Sequence, residues 1–181
     1  RIAVVGAGAV GGYFGGMFAR AGAPTVFIGR KHFAEAVNSK GLVLDKSEGQ
    51  QRIRAIATVD MGAVRECLLI LFCVKANDTS AAARQIAPFV RPDATVVCLQ
   101  NGVDNADQVR AAANVDAVPA AVYVAVSVPE SGRVKHLARG DLIIGPPSER
   151  TSQLADVFVR AGIPCRVSEN IEGELWLKLL R

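Results

Sequence analysis

The stretch Ile2-Ala3-Val4-Val5-Gly6-Ala7-Gly8-Ala9-Val10-Gly11 decides the fold. Four apolar residues with the character of a buried strand lead into the pattern G-x-G-x-x-G, and a helix-length segment over 10–21 follows. In this pattern the first glycine permits a tight turn, the second lets a ligand approach the backbone, and the third lets the helix pack on the strand. We therefore predict a phosphate-binding turn at the positive end of a helix dipole. Its cofactor contacts would be Gly6, Ala7, Gly8, Ala9, Val10 and Gly11; the alternative is a glycine-rich turn without a ligand.

Strands and helices alternate along the rest of the chain, which is typical of the α/β class. Strands are predicted at 25–28, 68–74, 95–99, 117–126 and 166–167, and helices at 31–39, 79–90, 105–113, 149–161 and 171–181. Two hairpins are expected, one pairing 42–45 with 52–57 and one pairing 133–137 with 142–144 through a turn near Arg139-Gly140-Asp141. The predicted fold is a Rossmann-type, doubly wound, mostly parallel sheet with helices on both faces.

Composition excludes several classes of protein. The chain has 181 residues, of which 50% are hydrophobic, and a net charge of +4. Its longest apolar stretch, 115–127, contains Asp116 and Pro119 and is shorter than the roughly 20 residues of a membrane span. The basic residues are scattered and lack interleaved aromatic residues, so we expect neither a membrane nor a nucleic acid as partner.

The cysteines and the first residues indicate the compartment. The spacing of Cys67, Cys73, Cys98 and Cys165 fits neither a metal site nor a disulfide framework, so reduced thiols are expected and no metal. The first residues enter a strand directly, so we expect no secretory signal. These observations predict a cytoplasmic protein.

The second predicted strand ends in Gly29-Arg30-Lys31, about 20 residues after the glycines. NAD enzymes of this fold usually carry an acidic residue there, which binds the ribose 2′-hydroxyl. Two cations suit a 2′-phosphate instead, both by charge and by the fork geometry of arginine. Arg30 therefore predicts NADPH/NADP⁺ as the cofactor; the alternative is a pair of solvated loop charges.

Two polar segments follow the next predicted sheet strands. Lys75 comes directly after an apolar run, and Asp78 or Thr79 can cap the helix that follows. Asn101, in Gln100-Asn101-Gly102, offers both a donor and an acceptor to a keto acid or a carboxamide. Ligands of such folds collect at the carboxyl ends of strands, so both residues are candidate contacts. Taken singly, each also fits an ordinary loop or turn.

The final segment, 171–181, reads as an apolar helix with a narrow polar wedge of Glu174, Lys178 and Arg181. Such a helix is expected to be buried on several sides. Lys178 has two interpretations: an i,i+4 ion pair with Glu174 on a solvated face, or an acid aimed at the active cleft.

Five motifs occur in a fixed order: GAGAVG at 6–11, GRK at 29–31, CVKA at 73–76, QNGVDN at 100–105 and ELWLKLL at 174–180. Together they resemble the ketopantoate reductase (2-dehydropantoate 2-reductase) family over essentially the whole chain. The resemblance implies NADPH-dependent reduction of 2-dehydropantoate to pantoate, in pantothenate biosynthesis. It also implies that Lys178 is the proton donor and binds substrate, that Lys75 and Asn101 contact cofactor and substrate, and that Arg30 selects the cofactor.

The resemblance also implies a domain organisation. Residues 1–168 would form the NADP-binding domain, and 169–181 would open a helical substrate domain whose remainder lies outside this sequence. We therefore expect the chain to be part of a longer enzyme that forms a homodimer through that second domain. Three alternatives remain open: a reductase of another 2-keto acid, a dehydrogenase of glycerol-3-phosphate or 6-phosphogluconate type, and a non-catalytic NADP(H)-sensing module.

Overall fold

The structure is a computed structural model that describes residues 1–180. The strands are β1 Ile2–Val5, β2 Thr25–Ile28, β3 Leu42–Lys46, β4 Gly49–Ile53, β5 Ile56–Thr58, β6 Leu69–Phe72, β7 Thr95–Cys98, β8 Ala117–Glu130, β9 Arg133–Ile144 and β10 Cys165–Val167. The helices are α1 Ala9–Arg20, α2 Lys31–Lys40, α3 Thr79–Ile86, α4 Asn105–Ala113, α5 Glu149–Arg160 and α6 Ile171–Leu179. Three short 3₁₀ helices lie at Met61–Glu66, Ala76–Asp78 and Ala87–Phe89.

Six strands form a parallel sheet in the order β5-β2-β1-β6-β7-β8. When only these strands are numbered along the chain, the order is 3-2-1-4-5-6, the arrangement of a doubly wound dinucleotide-binding fold. The predicted α/β class and mostly parallel sheet are therefore confirmed. A second, mixed region continues from β8, which pairs antiparallel with β9, and β9 in turn pairs in parallel with β3 and β10.

Side chains alternate between the two faces of the parallel sheet, and each face has its own core. Val4 of β1 faces α1, α2 and α5, whereas Ala3 and Val5 face α3 and α4. Both faces are covered, so the strands are apolar throughout rather than alternating with polar residues.

Helix α1 packs on the sheet through a stripe of glycines. A Cβ atom on Gly15 would lie 2.4 Å from Val4 Cγ2 and 2.6 Å from Phe27 Cε1, and one on Gly12 would lie 2.6 Å from Val134 Cγ2. Real Cβ atoms do not approach other atoms so closely. The helix axis can therefore lie near both sheet regions only because these positions lack side chains.

The first predicted hairpin exists, but its second arm was placed wrongly. Strand β3 pairs with β4, and Ile56–Thr58 instead joins the edge of the parallel sheet beside β2. Gly49, with φ +130°, lets the chain turn back immediately, and Gln50, Gln51 and Arg52 are exposed. Their polarity indicates a loop by sequence, although it also suits an exposed edge strand.

The second predicted hairpin, 133–137 with 142–144, was wrong. Strand β9 is continuous and pairs along β8, with the tight turn at Ser131-Gly132. Gly140 lies within a register shift of this pair, since Tyr123 faces Asp141 and Val124 faces Arg139. The tripeptide Arg139-Gly140-Asp141 therefore forms a β-bulge, which uses the same positive-φ residues as a turn.

Two predictions about helices also need correction. The helix predicted over 79–90 ends at Ile86 and continues as a 3₁₀ turn, because Pro88 has no backbone N–H to donate to the carbonyl of Arg84. In the described chain α6 buries Ile171 and Leu175 only, while Trp176 and Leu177 are more than half exposed. Its predicted burial on several sides is therefore wrong for residues 1–180. Arg181, predicted to end the helix, lies outside the described residues.

Among the described residues, no helix combines the length and the apolar character that crossing a membrane requires.

The contact of Gly15 with β1 and β2 predicts the effect of adding a methyl group. Gly15→Ala should lower the free energy of unfolding by about 1–2 kcal/mol, because overpacking between two fully buried side chains outweighs the better helix propensity of alanine. Urea denaturation measures this change. Gly8→Ala is the matched control: a Cβ there meets nothing within 4 Å, so the variant should lose only the small preference of a helix N-cap for glycine over alanine. Equal losses for the two variants would contradict the packing argument.

Candidate functional site

The loops that carry the predicted site residues meet at one edge of the sheet because four strand ends are in register. Val5 of β1 lies opposite Ile28 of β2 and Phe72 of β6, and Phe72 lies opposite Cys98 of β7. All four strands are parallel, so each chain leaves the sheet at the same level. This edge is the crevice in which ligands of doubly wound folds bind.

A cleft of about 460 Å³ lies at this edge. Its lining includes the predicted residues Gly6, Ala7, Gly8, Arg30 and Lys75. The remaining predicted residues of the glycine loop, Ala9, Val10 and Gly11, form the first turn of α1 beside it. The structure therefore brings the predicted cofactor contacts together, except for Asn101, which lines a neighbouring cavity.

Glycine occupies positions 6, 8 and 11 of the loop for different reasons. Gly6 has φ +92°, and a Cβ there would lie 2.6 Å from the backbone nitrogen of Val74. A Cβ on Gly11 would lie 2.4 Å from Gly6 O, so both positions are required by the protein's own packing. Gly8 is different, because a Cβ there would meet open space. The protein itself does not require glycine at position 8, whereas a ligand lying against the backbone does.

The N-terminus of α1 can receive an anion. Gly8 is its N-cap, and among residues 1–180 no side chain caps it; its first turn holds no acidic residue. The first backbone N–H groups of a helix have no partner within the helix, and the dipole adds positive potential there. This end of α1 therefore fits the phosphates of a dinucleotide.

Of the two predicted cations after β2, only Arg30 lines the cleft. It is exposed and forms the N-cap of α2 with an extended backbone. Lys31 points elsewhere and lies 3.7 Å from Glu35 in an i,i+4 ion pair. Lys75 lines the cleft opposite, next to Asp78, which makes no capping hydrogen bond to α3 among the described residues.

Lys178 and Asn101 meet at the same edge, although they come from separate elements. Lys178 Nζ donates a hydrogen bond to Asn101 Oδ1 at 2.6 Å, beside a cavity of about 210 Å³. Helix α6 is held there by Ile171 and Leu175, which pack on Ala121 and Ile143. Its first turn is capped by Asn170 Oδ1, which accepts from the Gly173 N–H at 2.9 Å.

The ion pair between Lys178 and Glu174 is not formed. Glu174 Oε1 instead accepts from Arg166 Nη2 at 2.7 Å and from Ser168 Oγ at 3.4 Å. The i,i+4 spacing allowed the pair, but Arg166 on β10 competes successfully for the carboxylate. Lys178 therefore faces Asn101.

Partial burial lowers the pKa of Lys178, since desolvation penalises the ammonium form. The ring of Tyr123 lies beside it, with its centroid 5.8 Å from Nζ. A half-buried lysine with a depressed pKa gives up its proton more readily than a solvated one. The arrangement can therefore hold a proton and release it to a nearby oxyanion.

Several residues at this edge were not found by sequence reasoning. His32, Val59 and Met61 line the cleft, as do Val128 near the end of β8 and Ser131 in the turn that follows. His32 directly follows Arg30-Lys31 and could have been suspected from that position. Val128 and Ser131 could not, because the sequence suggested a different hairpin.

Cys73 also lines the cleft beneath the glycine loop. Burial raises the pKa of its thiol far above the ordinary value, with a smaller contribution from Cys98. A thiol that stays protonated is a poor nucleophile. Cys73 therefore contributes neutral surface rather than chemistry.

The sequence model of the family described as "Ketopantoate reductase PanE/ApbA" matches residues 2–149, which is most of the chain. The chain belongs to this family. Among individual proteins it is 31% identical over 184 residues to a 2-dehydropantoate 2-reductase of Pyrococcus horikoshii, an alignment that covers 99% of this chain and 60% of that protein. The predicted family is therefore confirmed.

Solved structures agree with the family. A PanE/ApbA family ketopantoate reductase from Ralstonia eutropha JMP134 superposes with a TM-score of 0.95 at 41% identity, covering 99% of this chain and 60% of that one. A D-mandelate dehydrogenase in complex with NADH and anilino(oxo)acetate has a TM-score of 0.88 at 23% identity, covering 98% and 59%, and shares the fold. The chain spans 60–63% of the length of the first curated relatives it matches.

The half-buried position of Lys178 predicts that it titrates below an ordinary lysine in the folded chain. The carbon-13 shift of the lysine Cε, followed against pH, measures this. Below the pKa of Lys178 in the folded protein, the partly buried ammonium lowers the free energy of unfolding. This cost disappears as the pH rises through that folded pKa towards the pKa of an unfolded lysine, about 10.4. Asn101→Asp is the matched variant: a carboxylate at this position should raise the pKa of Lys178. An unchanged titration in Asn101→Asp would show that the two side chains do not interact in solution.

Proposed function

We propose that this chain is the NADPH-binding part of a reductase that converts 2-dehydropantoate to pantoate, with Lys178 as the proton donor. The observation that carries the proposal is the hydrogen bond between Lys178 Nζ and Asn101 Oδ1, 2.6 Å long, at the strand edge that also holds the glycine loop. The packing of α6 on β8 and β9 brings Lys178 to this edge, where it meets a residue from the loop after β7. Membership in the ketopantoate reductase family supports the same reaction.

The cleft fits a dinucleotide by its shape and by its charge. The open space at Gly8 and the uncapped first turn of α1 suit a pyrophosphate. Arg30 lies where an NAD enzyme usually has an acidic residue, and its guanidinium can hold a 2′-phosphate by two parallel hydrogen bonds. Lys75 adds a second cation to the lining. These features favour NADPH over NADH.

When bound, NADPH supplies a hydride to the ketone carbon, and negative charge develops on the ketone oxygen. Lys178 Nζ then donates its proton to that oxygen and completes the alcohol. The ammonium is most useful at that moment, because a cation stabilises the developing alkoxide more than the neutral ketone. Its lowered pKa makes the proton easier to transfer.

Asn101 has two roles in this proposal. Its Oδ1 accepts from Nζ and so fixes the direction in which the lysine points. Its Nδ2 can donate to an oxygen of the keto acid from the same side. Asn101 and Lys178 would together hold the substrate, and the residues of the glycine loop with Arg30 and Lys75 would hold the cofactor.

The domain division is also part of the proposal. We assign residues 1–168 to the NADP-binding domain and 169–181 to the start of a helical domain that completes the substrate cleft and the homodimer. The outer face of α6 supports this division, since Trp176, Leu177, Leu179 and Leu180 are each more than half exposed. A cluster of large apolar side chains on one helix face is typical of a surface covered by another element.

The experiment for the proposed reaction is turnover by the complete gene product with 2-dehydropantoate and with a panel of other 2-keto acids. Each substrate is tested with NADPH and with NADH. The expected result is the highest kcat/KM for 2-dehydropantoate with NADPH. A higher kcat/KM for another 2-keto acid would show that the proposed substrate is wrong and leave the proposed reaction unchanged. Binding of NADPH without turnover of any keto acid would contradict the proposed reductase activity.

Cofactor selection predicts a specific loss at Arg30. Arg30→Ala should weaken NADPH binding by about 1.5–3 kcal/mol, the worth of one or two charge-assisted hydrogen bonds, and leave NADH binding nearly unchanged. Isothermal titration with both cofactors measures the difference. Lys31→Ala is the matched control, because Lys31 pairs with Glu35 rather than lining the cleft. If both cofactors lost affinity equally, Arg30 would not read the 2′-phosphate.

The role of Lys178 predicts a separation of chemistry from binding. Lys178→Ala should lower kcat by about 10²–10⁴-fold, the usual range for a positioned general acid, while NADPH affinity changes little. Single-turnover hydride transfer at saturating NADPH measures the effect. Glu174→Gln is the control, since Glu174 binds Arg166 and should affect the rate only mildly. A Lys178→Ala rate within a few-fold of the parent would remove Lys178 from the mechanism.

A further inference from the structure

A group of buried, hydrogen-bonded polar side chains lies beneath the loop that carries Asn101. Of the five buried polar residues in the described part of the protein, Thr79, Gln100 and Asn105 form one connected group. Thr79 is fully buried, and Gln100 and Asn105 are 6% and 4% exposed. They come from three places: the start of α3, the loop after β7, and the start of α4.

The direction of each hydrogen bond in this group is fixed by chemistry. Gln100 Nε2 can only donate, so Thr79 Oγ1 accepts from it at 2.7 Å. The Thr79 hydroxyl then donates its proton to Asn105 Oδ1 at 3.3 Å. This orientation of the Asn105 amide leaves Nδ2 to donate to the backbone carbonyl of Asn101 at 2.9 Å. The last hydrogen bond of the group is therefore made to Asn101, the residue that binds Lys178.

Gly102 makes room for this arrangement. It has φ +121°, and a Cβ there would lie 2.8 Å from Asn105 Nδ2. Any larger residue would push the amide away from the Asn101 carbonyl. The Asn101-Gly102 pair is thus more than a turn, because its backbone is shaped to receive the Asn105 side chain.

The group contains one acceptor that it does not satisfy itself. Gln100 Oε1 is buried and has no hydrogen-bond partner among residues 1–180. A buried acceptor left without a partner is unfavourable, and three apolar residues of similar size would avoid the penalty. Such exceptions in a native structure need an explanation.

We propose that Thr79 and Asn105, together with Gln100, are positioning residues that fix the Asn101 loop so that Asn101 holds Lys178 in place for proton transfer. This inference rests on the proposed function. Thr79 and Asn105 line neither the cleft nor the cavity beside Lys178, so they act through the Asn101 carbonyl, whereas Gln100 also lines that cavity. A displacement of about 1 Å in such a site can reduce the rate by about 10²-fold, so fixing one carbonyl has a catalytic consequence.

Thr79 offers the sharpest test of the positioning role, because two substitutions separate the effect of its hydroxyl from the effect of its methyl group. Thr79→Val keeps the shape of the side chain and removes the hydroxyl, so the hydrogen bonds that join Gln100 to Asn105 are lost. Thr79→Ser keeps the hydroxyl and removes a methyl group. A purely structural role would make both variants lose stability without a selective effect on rate, whereas the positioning role depends on the hydroxyl.

The measurements use the complete gene product. For Thr79→Val we expect kcat for keto-acid reduction to fall by about 10- to 100-fold, with NADPH affinity and substrate KM changed by less than about threefold. Thr79→Ser should restore kcat to within about threefold of the parent. Exchange of the Asn105 side-chain amide protons, one of which bonds to the Asn101 carbonyl, should become faster in Thr79→Val and stay at the parent rate in Thr79→Ser.

Each outcome decides between the alternatives. A kcat of Thr79→Val equal to that of the parent, or an equal loss in Thr79→Ser, would overturn the positioning role. If Thr79→Val does not fold, Asn105→Ala takes its place, since it removes the donor to Asn101 and leaves Thr79 and Gln100 paired. If the parent protein reduces no keto acid, the proposed function fails by itself. Exchange of the Asn105 side-chain amide protons then still tests the hydrogen-bonded group, and unchanged exchange in Thr79→Val would overturn its positioning role.

Discussion

The close approach of α1 to β1 is the constraint on which the rest of the structure depends. A Cβ on Gly6 would collide with the backbone at Val74, and one on Gly11 would collide with the Gly6 carbonyl. With both absent, the chain turns within a few residues and the first turn of α1 lies directly beside the strand ends. The same contact therefore sets the packing of the helix, the position of its dipole, and the floor of the cleft.

The parallel sheet brings residues that are distant in the sequence together at one site. Because Val5, Phe72 and Cys98 are in register, the loops after them share one edge without any contact made for that purpose. Lys178 reaches this edge by a different route, through the packing of Ile171 and Leu175 on the β8–β9 region. In the proposed reaction two independent structural supports would serve one site: the glycine loop would hold the cofactor, and α6 would place the proton donor.

The sequence was most informative where one local pattern has one structural outcome. The strand-glycine-helix unit and the helix at 105–113 follow from local residue patterns, and the structure confirms both. Arg139-Gly140-Asp141 was misread because a turn and a bulge use the same positive-φ residues, and only the partner strand distinguishes them. The partner of Glu174 was equally beyond reach, since the choice between Lys178 and Arg166 depends on where β10 lies. The polar group at Thr79 and Asn105 joins residues 26 apart in sequence, a pairing that no local pattern reveals.

Strand β8 connects the two parts of the site with a single length of backbone. Ala120 lies beside the cavity of Lys178, and Val128 lies beside the cleft of the glycine loop. Successive residues of a strand point to opposite faces, so one residue inserted after Ala120 would turn the side chains that follow it, up to the next register shift, to the wrong face. Relatives of this protein should therefore differ in length at tips such as Ser47-Glu48, while the distance from Ala120 to Val128 is preserved over evolutionary time.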